Sequence, residues 1–274
     1  MKPLVIYHAG CWDGFCAAWV LRREFPDADF HAAHYGTEPP DVSGRDVFVV
    51  DFCYKRPVML AIAAAARSLT VLDHHKSAEA DLAGFVAEAN GLYGVVPNVI
   101  FKMDKSGGRL AWEYLNGAAP APWLVDYTED RDLWRHVLPD SRAVNAALRS
   151  YPLDFAQWDM LAGMDPRDLA EEGYAILRAE AQTVAAHVRH AREIELGGHK
   201  VLAVNATTLF SEIAGELAQG RPFGACYFDR FDGLRVWSLR SREGGVDVSE
   251  VAKQYGGGGH RNAAGFEQRP GVPL

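Results

Sequence analysis

Along the first hundred residues of this chain, apolar residues come in short unbroken runs that alternate with stripes at helical spacing. LVIY (4–7), DVFVV (46–50) and LTVL (69–72) are continuous and partly β-branched, as strands covered on both faces are. Behind the first run, DGFCAAWVLRREF sets Phe15, Ala18, Trp19 and Arg22 at helical spacing. Behind the second, RPVMLAIAAAARS places Pro57 near a helix start and is rich in Ala and Leu. NVIFKM (98–103) reads as a fourth strand with SGGRLAWEYL as the helix after it, and APWLVDYTEDRDLWRHV with the stretch to residue 160 reads as further helices. The alternation predicts an α/β fold, a parallel sheet with helices on both faces.

The pattern then changes. Residues 166–193 begin with Pro166 and contain no glycine except Gly173, which predicts one long helix joining two bodies. The expected organisation is an N-terminal parallel-sheet domain over 1–165, a linker helix over 166–196 and a smaller α+β domain over 197–274. In the last, KVLAVN, GACYFD and LRVWSLR read as strands and LFSEIAGELAQ and VSEVAKQY as helices, before the closing GGGGHRNAAGF.

Composition narrows the class. A length of 274 residues suits two domains, and 49% hydrophobic with 23% charged residues is ordinary for a folded chain, so neither disorder nor a fibre is indicated. No apolar run reaches the roughly 20 residues that span a bilayer, and the start, MKPLVIYHAGCWDGF, has no run long enough for a secretory signal. The expectation is therefore a cytoplasmic chain with no membrane partner. The four cysteines form no CxxC pair and fit thiols in a reducing compartment. A net charge of −8 argues against binding long duplex nucleic acid, which rests on many Lys and Arg contacts to phosphate. Acid is concentrated early: residues 1–199 carry 19 Lys+Arg against 28 Asp+Glu, and residues from 200 onward carry 9 against 8.

The chemistry gathers where the early strands end. LVIY runs into His8 and, after a short loop, Asp13; FVV runs into Asp51; TVL runs into Asp73, His74 and His75. In a parallel α/β sheet all these carboxyl ends lie along one edge, the edge where ligands bind. Taken singly, each Asp is as well explained as a helix N-cap, and a lone His after a strand as a satisfied polar residue. Three successive strand ends, one of them carrying Asp-His-His, favour a common site. Crowded carboxylates need a cation, and this oxygen and imidazole set without thiolate clusters suits Mn²⁺, Mg²⁺ or Fe²⁺ better than structural zinc. Two such ions about 3.5–4 Å apart can hold an attacking hydroxide and steady a phosphoryl oxygen, which is the chemistry of phosphoester hydrolysis.

These motifs are similar to those of a known family. VLDHH, with HAGCWDGF and VVDF before it, resembles the DHH phosphoesterase superfamily, and GGGGHRNAAGF resembles the glycine-rich motif of the DHH-associated C-terminal domain. The order and spacing match over nearly the whole chain, and the family includes RecJ-type exonucleases and nanoRNases. The resemblance implies metal ligation by His8, Asp13, Asp51 and His74, with Asp51 shared between two ions. It implies contact of His75 with the scissile phosphate, Asp73 orienting the histidines, and one more Asp from TEDRDLW, for which Asp132 is preferred and Asp130 is the alternative. It also implies phosphate or base contacts from Arg240, Gly258, Gly259, His260 and Arg261 in the second domain, which would grip the far end of a short substrate.

One position departs from the pattern. Cys11 stands where family members commonly carry a further Asp; as a thiolate it would favour softer ions, and as a neutral thiol it would leave one site weaker. The expected cofactor is Mn²⁺ at two sites, with Mg²⁺ or Co²⁺ as alternatives. The expected activity is hydrolysis of phosphodiester bonds in short single-stranded oligonucleotides or related small nucleotides, with a homodimer as the candidate assembly. The other readings are a phosphatase acting on 3'-phosphoadenosine 5'-phosphate and a non-catalytic nucleotide-binding sensor.

Overall fold

The computed structural model describes residues 2–271, and its first sheet follows the predicted alternation. β1 (Leu4–His8), α1 (Trp12–Glu24), β2 (Asp29–Ala33), β3 (Asp46–Val50), α2 (Arg56–Ala65), β4 (Ser68–Asp73), α3 (Lys76–Asp81), α4 (Phe85–Tyr93) and β5 (Asn98–Phe101) come in that order. The strands lie in the order β2-β1-β3-β4-β5 and every pairing is parallel. Both faces are covered, which is why β1, β3 and β4 are apolar at successive positions. Val5, Val50 and Leu72 belong to one core with Trp19 of α1, and Ile6, Val49 and Val71 belong to another with Met59 of α2 and Phe85 of α4.

The first core is completed by α5 (Gly107–Asn116), α6 (Trp123–Asp132), α7 (Ser141–Ser150), α8 (Phe155–Ala162) and the start of α9 (Pro166–Val188). Their starts are locally encoded: the Ser106 hydroxyl accepts from the Arg109 amide at α5, and the Asp154 carboxylate from the Gln157 amide at α8. Trp158 of α8 is fully buried and meets Phe15 of α1 edge-on at 5.1 Å.

The chain divides into two compact units, Met1–Leu177 and Arg178–Leu274, so the division falls within α9. The helix predicted over 166–193 ends at Val188, and Arg192–Leu196 is a strand, β6. Ile194 and Leu196 alternate with charged residues there, and Gly197–Gly198 turns the chain into β7 (His199–Asn205), its antiparallel partner. Then come α10 (Phe210–Leu217), β8 (Gly224–Asp229), β9 (Arg235–Arg240), α11 (Val248–Lys253), β10 (Gly258–His260) and β11 (Ala263–Gln268). The six strands lie in the order β10-β11-β9-β8-β7-β6, with only β7 and β8 parallel. α11 packs on one face against Trp237, Leu239 and Phe266, and α10 on the other against Val204 and Cys226. The fold class is thus α/β with a second, α+β domain. The four cysteines are free thiols. Among the described residues no helix is long and apolar enough to cross a membrane.

Candidate metal centre

β1 has β2 on one side and β3 on the other, so the chain leaves it in opposite directions and a crevice opens at the carboxyl ends of β1 and β3. His8 is the last residue of β1, Asp51 follows β3 directly, Asp73 ends β4, and Asp13 lies in the first turn of α1. Asp132, the last residue of α6, joins them from far along the chain.

These side chains form two groups, His8 with Asp51 and His75, and Asp13 with His74 and Asp132; within each group the candidate ligand atoms lie within 4.8 Å of one another. Asp51 turns one oxygen towards each group. Its Oδ1 is 3.1 Å from His74 Nε2 and its Oδ2 is 3.6 Å from His8 Nδ1. His74 Nε2 is also 3.6 Å from Asp13 Oδ2 and 3.5 Å from Asp132 Oδ2. Asp73 faces its own loop instead. Its Oδ1 accepts from the backbone amides of His74 and His75 and lies 2.7 Å from His75 Nδ1, which fixes the plane of that ring. Asp130 stands apart, since its carboxylate accepts from the Val137 and Leu138 amides and holds the loop after α6. Cys11 joins neither group.

In the second unit, Arg240 and His260 are both register partners of Ala263, so they stand on one face of the sheet two strand spacings, or about 10 Å, apart. Arg240 is steadied by the Ser211 hydroxyl, to which Nη2 donates at 2.8 Å. Gly258 and Gly259 lie in β10, where a Cβ on Gly259 would come within 2.6 Å of the Ala263 carbonyl oxygen, so that glycine has a packing reason of its own. Arg261 donates to the Gly245 carbonyl and lies 3.6 Å from Asp247.

No protein-family model matches the chain. It is 26% identical over 297 residues to uncharacterized protein R106 of Acanthamoeba polyphaga mimivirus, with 96% of this chain aligned, and it spans 66% of that relative's length. Among solved structures, the pGpG-specific phosphodiesterase PggH of Vibrio cholerae is similar with a TM-score of 0.52 at 15% identity, covering 98% of this chain and 94% of that one. The DHH domain of PF0399, described as a member of the s1p family of ribosomal proteins, gives 0.50 at 14%, covering 96% and 82%. The fold is that of the DHH proteins. RecJ of Thermus thermophilus in complex with Mn²⁺ also gives 0.50 at 14%, covering 97% of this chain and 49% of RecJ.

The charges at the head of this DHH fold call for a cation. Burial works against the imidazolium of His74, yet Asp51, Asp132 and Asp13 push its pKa up to about 10. Burial, then Asp132 and Asp51, raises Asp13 well above the usual carboxylate range, and burial raises Asp132. Asp51 is held well below that range, because the surrounding imidazoles of His74, His8 and His75 together outweigh its burial. Burial and then the three carboxylates push the Cys11 thiol well up, which leaves it protonated in the absence of a metal. His8 Nδ1, Asp51 Oδ2 and Asp132 Oδ2 are buried without a hydrogen-bond partner. Orphaned donor atoms of the right types, converging from separate elements, fit divalent ions well.

Two residues of this site carried no notice in the sequence. The amides of Gly107 and Gly108, at the first turn of α5, both donate to the Asp13 carboxylate, so a helix N-terminus holds that side chain in place. A Cβ on Gly107 would come within 2.6 Å of Asp51 Cβ. A glycine pair directly after an N-cap serine is the signal that could have marked this close approach.

The proton on His74 yields a prediction. A metal ion needs the neutral imidazole, so binding near neutral pH is expected to release that proton, and affinity to rise with pH as deprotonation becomes easier. Calorimetric titration with Mn²⁺ in buffers of different ionisation enthalpy measures the release. Equal heats in all buffers would contradict ligation by His74.

Proposed function

We propose that this protein is a divalent-metal-dependent phosphoesterase that cleaves phosphodiester bonds in short single-stranded oligonucleotides or related small nucleotides. The observation that carries the reading is Asp51, which presents one oxygen to each of two ligand groups at the switch point of a parallel sheet. His8 and Asp51 would hold one ion, and Asp13, His74 and Asp132, sharing Asp51, the other, with Mn²⁺ preferred and Mg²⁺ or Co²⁺ as alternatives. Such ions supply a water of lowered pKa and offset negative charge on the phosphoryl oxygens. The fold likeness to a pGpG-specific phosphodiesterase and to a Mn²⁺-bound RecJ supports the same class of chemistry.

The chain's own groups have distinct tasks. Asp73 accepts from His75 Nδ1, which orients the ring, and raises its pKa against the effect of burial. In this reading the opposite ring nitrogen, Nε2, would donate a hydrogen bond to a non-bridging phosphate oxygen as charge builds on it. Gly107 and Gly108 keep Asp13 aimed inward. Arg240, Gly258, Gly259, His260 and Arg261 are proposed to bind a substrate phosphate by charge-assisted and backbone hydrogen bonds. The net charge of −8 agrees with small nucleotides better than with long duplex.

A product time course on labelled RNA and DNA of graded short lengths, run with Mn²⁺, Mg²⁺ and Co²⁺ and beside 3'-phosphoadenosine 5'-phosphate, tests the reading. Accumulation of mononucleotides from the shortest oligonucleotides is expected. Release of inorganic phosphate alone, or no product with any ion, would overturn it.

A further inference from the structure

The second unit carries a cavity, rimmed by polar side chains, that the proposed catalytic chemistry does not use. It has a volume of about 380 Å³ and lies at the end of α9 and over the strands β6, β7 and β8. Sheet register explains why it is there. Arg192 is directly across from Ala203, and Asn205, two residues further along β7, is beside Tyr227 of β8. Ala203 therefore makes a low floor between three taller side chains. His187, in the last turn of α9, and His190, in the turn that follows, close the remaining side.

Among the described residues, no carboxylate lines this space. Arg192 makes no ion pair there; its one hydrogen bond runs from Nη1 to the Ala191 carbonyl at 3.3 Å. The side chains of His190 and Asn205 and the Tyr227 hydroxyl have no hydrogen-bond partner among the described residues. His187 donates through Nδ1 to the Thr183 carbonyl, which leaves Nε2 as its remaining polar atom. A cation with a planar fork of donors, two imidazoles, an amide and a phenol thus border a small space with most of their hydrogen-bonding capacity unspent. Four of the five can donate to an anion as they stand. His187 Nε2 can accept from the hydroxyl of a protonated phosphate, or donate to the dianion once it is itself protonated.

We propose that this cavity is a binding site for a phosphate monoester, separate from the glycine-rich segment of the same unit. The cavity lies over β6, β7 and β8 and the glycine-rich segment forms β10 at the opposite edge of the sheet, so the nearest lining strand is three strand spacings, or about 14 Å, away. Arg240 is also at the other end of β8, in register with Gly224. The volume exceeds what a bare phosphate fills and falls in the range of about 300–1,000 Å³ usual for small-molecule pockets, so the ester has room to carry a sugar or nucleoside. The inference does not rest on the proposed phosphoesterase activity, although a phosphate monoester is the group that phosphodiester hydrolysis produces.

Deuterium exchange on the full chain, titrated with inorganic phosphate in one arm and AMP in the other, tests it. Either ligand is expected to slow exchange in peptides covering 185–196 and 202–206, with stronger protection by AMP; protection by phosphate and not by AMP would overturn the assignment to a monoester. The double variant Arg192→Ala with His190→Ala changes two surface residues and is expected to weaken that protection by about tenfold or more at unchanged Tm. Arg240→Ala is expected to leave it intact. The proposal fails if neither ligand protects these segments, if the double variant binds as the parent does, or if Arg240→Ala alone removes the effect.

Discussion

Asp51→Asn is expected to reduce metal-dependent hydrolysis by on the order of a thousandfold, because the ions account for several kcal/mol of charge stabilisation and each 1.36 kcal/mol is a factor of ten. Asparagine is the informative replacement. Asp51 has φ of 52°, a left-handed conformation that Asn tolerates and that costs most other residues about 1–2 kcal/mol, so alanine would add strain to the loss of the ligand. In the metal-free protein two effects oppose each other. Losing the carboxylate relieves Asp13 and Asp132 of a like charge, while His74 loses its partner at 3.1 Å. The metal-free Tm should therefore change little. What should vanish is the gain on adding Mn²⁺, which for a single site at a hundredfold excess over Kd is about 2.7 kcal/mol. Thermal melts with and without Mn²⁺, beside initial rates, measure both effects. A variant that keeps the parent's metal-induced stabilisation and turnover would show that Asp51 is not the shared ligand.

Gly173→Ala is expected to destabilise the first unit by about 2 kcal/mol or more, the largest stability effect foreseen here. Alanine is the better helix former by about 1 kcal/mol, so propensity alone favours the change. Packing overrules it. A Cβ at this position would be 1.8 Å from the Ala143 carbonyl oxygen and 2.4 Å from its carbon, and a backbone of α7 has no rotamer by which to move aside. The helices must separate, which loosens the core that Leu169 and Ala170 of α9 share with Ala143 and Val144 of α7. Gly215 in α10 is the control, since a Cβ there meets nothing within 4 Å and the same substitution should be neutral or stabilising. Urea unfolding of the two variants compares them directly, and equal midpoints would mean that α7 and α9 do not approach as closely as described.

Much of the first sheet could be read from the sequence because β1, β3 and β4 are covered on both faces. Their apolar runs are unbroken, so the polar residues at their ends stand out. β2 is not legible in the sequence, for the opposite reason. DFHAA is an edge strand with exposed positions, and nothing in its pattern separates it from a loop. The segment 192–196 reads as a continuation of the preceding helix, because charged residues alternating with two aliphatic ones suit either period over so short a stretch. The choice between Asp130 and Asp132 has the same character. Two residues apart on a helix, they point roughly 200° apart, and only the side of α6 that faces the sheet edge decides which one meets His74.

By itself, the sequence determined the periods: which stretches are strands buried on both faces, which are amphipathic helices, and which acids and imidazoles end the strands. Those follow from interactions between residues close in the chain and from simple burial. Tertiary structure alone decided that β3 pairs with β1 on the side away from β2, so that His8 and Asp51 flank one crevice. It alone brought the amides of Gly107 and Gly108 to Asp13, and Asp132 to His74. Such meetings join residues tens of positions apart, and they depend on which strand neighbours and helix faces pack best together, a competition that no local pattern records.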